Sequence, residues 1–74
     1  MSNLDRITFE QGKMGGQACI RGLRITVSLI LNLLGNGMSV QDILSDYPDL
    51  EAGDIAQALQ YASLLAKDEV VAGG

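Results

Sequence analysis

Ser39-Val40-Gln41-Asp42-Ile43-Leu44-Ser45-Asp46-Tyr47-Pro48-Asp49-Leu50-Glu51 is the stretch whose reading decides the fold. Ser39 followed three residues on by Asp42 resembles a capping box, with Asp in place of the usual Glu or Gln. The helix it opens stops at Tyr47, because the residue before Pro48 is driven out of the α region. Val40, Ile43 and Leu44 give an inward i, i+3, i+4 spacing, and Gln41, Asp42, Ser45 and Asp46 face water. Pro48-Asp49-Leu50 makes a tight turn, with Leu50 as an apolar plug. Glu51 or Asp49 then caps a last helix from Ala52 to about Lys67. Ile55, Leu59, Ala62 and Ala66 form its inward stripe, widened by Ala58 and Leu65. From Gly37 to Ala62 the layout is that of a DNA-binding helix-turn-helix. The second helix nevertheless has no Lys or Arg before Lys67. Its expected exposed positions are Asp54, Gln57, Gln60 and Tyr61, whereas phosphate contacts usually supply most of the affinity for DNA.

Upstream, Thr26 is the expected N-cap of a first helix from Val27 to about Gly35, closed by Gly35-Asn36-Gly37. From Val27 to Leu34 only Ser28 and Asn32 are polar, too apolar for a surface helix of so small a chain. The expected answer is a homodimer whose seam uses Val27, Leu29, Ile30, Leu33 and Leu34. Before it, Arg6–Glu10 and Ala18–Arg21 read as short strands flanking the glycine-rich turn Gly12 to Gly16, a hairpin. The predicted fold is mostly α, a hairpin arm over 6–25 and three helices over 26–67. A tail over 68–74 completes a single domain, winged-helix-like and dimeric.

The chain has 74 residues, a net charge of −4, one cysteine and no histidine. One thiol excludes an intrachain disulfide, and thiol plus histidine supply too few ligands for a structural zinc. No cofactor is implied. Without histidine there is no nucleophile–base pair, so an enzyme is not expected. Neither a signal peptide nor an apolar run long enough to span a membrane is present, which points to the cytoplasm.

Charge is uneven. Residues 1–24 carry Arg6, Lys13, Arg21 and Arg24 against Asp5 and Glu10, a net +2, whereas 25–74 carry −6. Any nucleic acid would therefore be held by Arg6, Lys13, Arg21 and Arg24, with Gln57 and Gln60 reading adenine edges. Arg21-Gly22-Leu23-Arg24 admits two readings. One is a phosphate or carboxylate clamp; the other is structural pairing with acids of the helices within the dimer. Cys19 reads as a small buried hydrophobe.

The segment Gly16-Gln17-Ala18-Cys19-Ile20-Arg21-Gly22-Leu23-Arg24-Ile25-Thr26-Val27 resembles the small bacterial family called domain of unknown function 433. Its members typically read Gly-Lys-Pro-x-Ile-Arg-Gly-Thr-Arg-Ile-Pro-Val there. The likeness continues through Gly37-Met38-Ser39-Val40, Ile43-Leu44, Asp46-Tyr47-Pro48, Leu50, Asp54-Ile55, Ala58-Leu59 and Tyr61-Ala62. Gln17 and Ala18 replace Lys-Pro, Leu23 replaces Thr, and Glu51 stands where Thr or Ser caps the last helix. The resemblance implies a helix-turn-helix-like fold and the antitoxin role of a type II toxin–antitoxin pair. The implied partner is a PIN-like ribonuclease, with the operator DNA as a further partner. The acidic half and the tail, through Lys67, Val70 and Val71, are the expected toxin-binding segment. Two alternatives stand beside it: a DNA-binding regulator without a toxin, and an adaptor homodimer with no DNA contact.

Overall fold

The structure, a computed structural model, describes residues 4–66. Lys67, Val70, Val71 and the tail expected over 68–74 lie outside the described residues. The protein is mostly helical: a two-stranded antiparallel sheet followed by three helices. Strand β1 (Ile7–Thr8) pairs with β2 (Cys19–Ile20), Ile7 opposite Ile20 and Thr8 opposite Cys19. Both strands are shorter than the sequence predicts, and for β1 the cause is visible. The Arg6 amide leaves the ladder and donates to Gln57 Oε1 of the last helix at 2.9 Å. The other edge of β2 is taken by an isolated bridge from Cys19 to Thr26.

That bridge leads straight into α1 (Val27–Gly35), whose N-cap is Thr26 as expected: its Oγ1 accepts from Leu29 N at 3.0 Å. At the far end Gly37 (φ 94°) donates to the Leu34 carbonyl and Met38 to the Leu33 carbonyl. This paired closure needs a left-handed residue at Gly37. The capping box of α2 (Val40–Asp46) forms: Asp42 N donates to Ser39 Oγ at 3.0 Å and Ser39 N to Asp42 Oδ2 at 3.4 Å. Helix α3 (Ala52–Leu65) begins after Glu51 and ends two residues short of the predicted Lys67.

Ile20, Val27, Ile30, Ile43, Leu50, Ile55 and Ala58 form the core, drawn from β2, all three helices and the α2–α3 turn. Leu50 is the plug the sequence suggests. The inward stripe of α3 is buried only at its first half. Leu59 is 47% exposed and Leu65 70%, and Ala66 is exposed, so the expectation that they pack inward is corrected. Burial on α3 is confined to Asp54, Ile55 and Ala58, and the helix then runs past the elements that cover it. Val40, at 39%, is likewise exposed at the first position of α2.

Candidate functional site

Asp54 is the main correction to the sequence reading. Expected on the exposed face of α3, it is completely buried. It occupies the third position of α3, where its Oδ2 accepts from Glu51 N at 2.8 Å and closes the first turn. The same carboxylate faces the hairpin. Arg21 approaches it with two nitrogens, Nε to Oδ1 at 3.1 Å and Nη2 to Oδ2 at 3.0 Å, and Arg6 Nη1 reaches Oδ1 at 2.9 Å. Arg6 Nη1 also meets Glu51 Oε1 at 2.8 Å, and Arg21 Nη2 donates to the Asp49 carbonyl at 2.6 Å. Two guanidinium groups and two carboxylates balance. One buried acid thus ties β1, the turn after β2, and α3 together.

The backbone is shaped to allow this. Arg21 (φ 45°) and Gly22 (φ 71°) are the central residues of a turn closed by Leu23 N to the Ile20 carbonyl at 2.7 Å. Positive φ at both central positions is what a tight hairpin turn of this hand requires. Arg21 accepts that strained conformation, and its side chain reaches Asp54. Gly53 contributes by having no side chain: a Cβ there would meet the Arg6 guanidinium at 2.8 Å. Burial pushes the Asp54 carboxyl upward in pKa. The hydrogen bonds from Arg21, from the Glu51 amide and from Arg6 outweigh it, holding the group below its ordinary value.

The residues expected to hold nucleic acid are therefore divided. Arg6 and Arg21 are occupied by Asp54; of the Arg21–Arg24 pair, Arg21 alone meets an acid of the helices, and it does so within one chain. Lys13 Nζ donates to the Gly22 carbonyl at 2.6 Å and pairs with Glu10 at 3.2 Å. Gln57, expected to read bases, is engaged at both ends: Oε1 by the Arg6 amide, Nε2 by Asp5 at 2.9 Å. Arg24 is exposed, has no carboxylate partner among the described residues, and touches only Met14 Sδ at 3.9 Å. Gln60 is also exposed.

The residues of the expected dimer seam are divided. Val27 and Ile30 are 4% and 0% exposed inside the single chain, so neither can also face a partner. Leu29, Leu33 and Leu34 are half-buried. An apolar hollow of about 550 Å³, lined by Phe9, Ala18, Leu31, Tyr61, Ala62 and Leu65 among others, opens between α1, the hairpin and the end of α3. Tyr61, expected on the exposed face, is half-buried and packs edge-on against Phe9 with ring centroids 5.9 Å apart.

The acids show a second division. Asp42 caps α2, Glu51 and Asp54 hold Arg6, Glu10 holds Lys13 and Asp5 holds Gln57. Asp46 and Asp49 are exposed, and among the described residues their carboxylates have no such partner. They flank Tyr47-Pro48 in the α2–α3 turn. An acid at the last position of a helix is not placed there for the helix, because the dipole end is already negative. Among the described residues, no side chain accounts for this pair.

A two-stranded hairpin fastened to three short helices through one buried carboxylate defines a small, mostly helical domain with no helix, among the described residues, long and apolar enough to cross a membrane. The chain belongs to the family described as protein of unknown function (DUF433), whose model matches residues 7–62. A crystal structure of a DUF433 member from Anabaena variabilis is similar, with 34% sequence identity and a TM-score of 0.77. The match covers 80% of this chain and 58% of that one, so the present chain spans little more than half of its solved relative. Among curated proteins, none matches the chain.

Proposed function

We propose that the protein is a protein-binding antitoxin. It would cover the basic, RNA-gripping surface of a PIN-like ribonuclease with the acidic tip between α2 and α3. The observation that carries this reading is the pair Asp46 and Asp49 beside Pro48, exposed and without a cationic partner among the described residues, on a chain of net charge −4. A nuclease that holds RNA phosphates presents cations, and exposed carboxylates on a rigid turn compete for the same positions. The leading cations of the hairpin, Arg6 and Arg21, are turned inward onto Asp54, which supports a protein rather than a nucleic acid as the primary partner.

The test is co-expression with a PIN-like nuclease, the partner this reading requires, read as growth. The wild type should restore growth, and an Asp46→Lys, Asp49→Lys double variant that keeps its helical circular dichroism should not. Equal rescue by both would overturn the reading. Operator binding remains a second reading because Arg24 and Gln60 are exposed. It is tested by a salt series on labelled operator with Arg24→Ala, where a loss of affinity with a shallower salt slope supports it.

A further inference from the structure

We infer that the hollow between α1 and the end of α3 is the contact face of a homodimer, filled by the last turn of α3 from a second copy. The argument begins with an unmet pattern. Ala58, Ala62 and Leu65 follow the inward stripe of α3 at i, i+4, i+7, yet Ala58 is completely buried and Leu65 is 70% exposed. The stripe does not change; its cover stops. Past Ala58 the inward side of α3 looks across the open hollow at Leu31 of α1 and Phe9 of the hairpin, itself 58% exposed. A second, shallower hollow of about 400 Å³ shares Ser28 and Leu31 and continues along α1 past Asn32 to Gly35.

The chemistry of this face selects the occupant. Among the described residues, none that lines either hollow carries a charge, on a chain whose net charge is −4. Two acidic copies repel each other wherever acids are exposed, and the described residues of this face include none. A basic partner would gain nothing from this face and would be drawn to Asp46 and Asp49, at the opposite end of α3. The face is also self-complementary: a protruding Leu65 lies beside the hollow it would fill in a partner, as a two-fold interface requires. A specific interface takes about 800 Å² from each partner, roughly a sixth of this chain's 4932 Å². The contact must extend beyond the hollows themselves, over the faces of α1, the hairpin tip and the end of α3 that flank them. So small a chain buries too little by itself and gains from such a contact.

The experiment is sedimentation and light scattering on the full chain over a concentration series, for wild type, Leu65→Glu and Leu64→Glu. Leu64 is 52% exposed and does not line the hollow, so it controls for added charge. Wild type and Leu64→Glu should have twice the 7.8 kDa chain mass. Leu65→Glu should weaken the dimer by about a hundredfold or more, since each interface would bury two unpaired carboxylates. Because Leu65 is mostly exposed in one chain, the variant should keep its helical signal. A monomeric wild type would overturn the inference, as would a Leu65→Glu variant that dimerises like the wild type. A chain ending at Ala66 that dimerises while the full chain does not would assign the hollow to the chain's own following segment, and would also overturn it.

Discussion

At the residue scale, Asp54 carries the most consequence. Its five hydrogen bonds come from two arginines and one backbone amide, so removing it frees two half-exposed cations and uncaps α3. Asp54→Ala should cost about 2–3 kcal/mol in urea unfolding, below the usual figure for a broken buried pair because the arginines it strands still reach water. The pH dependence has a definite sign. A carboxyl held below its ordinary pKa stabilises the fold at all pH above its unfolded value, about 4, and loses that contribution as pH falls through the folded value. Stability should therefore be flat with respect to this group above about pH 5 and fall in acid, and Asp54→Asn should flatten the acid limb. Gln57→Ala removes a bond to the Arg6 amide, which should then exchange its hydrogen about tenfold faster. None of this could be read from spacing. Arg6 and Arg21 lie 48 and 33 positions from Asp54, and an Asp in the first turn of a helix is normally a solvated cap.

Among the elements, the helices were legible because each is bounded by local chemistry. Thr26, Ser39 and Gly37 do at the helix ends what their side chains or backbone freedom require, and Pro48 ends α2 on schedule. Ser39→Ala should cost about 1 kcal/mol, as losing one cap does. Leu50→Ala should cost about 2–4 kcal/mol by emptying the space between α2 and α3. Thermal unfolding of both variants checks the order of the two effects. The strands were less legible, since their lengths are set by where Arg6 and Arg21 turn toward α3 rather than by alternation. The end of α3 was misread for another reason. Its stripe is apolar as an inward face must be, but among the described residues nothing covers Leu65, which is 70% exposed.

For the whole molecule, the same two facts separate its surfaces. Cations are drawn inward at the hairpin, carboxylates are left outward at the α2–α3 turn, and the uncharged hollow lies at the other end of α3. A dimer joined through the hollows would leave both acidic tips free, so partner binding and self-association would not compete. The antitoxin reading rests on the acidic tips, and calorimetric titration of the PIN-like nuclease into the chain over a salt series tests it most directly. Binding should weaken steadily as salt is raised, and Asp46→Lys, Asp49→Lys should abolish it while leaving the mass of the free chain unchanged. Binding that is indifferent to salt and to both substitutions would contradict the account.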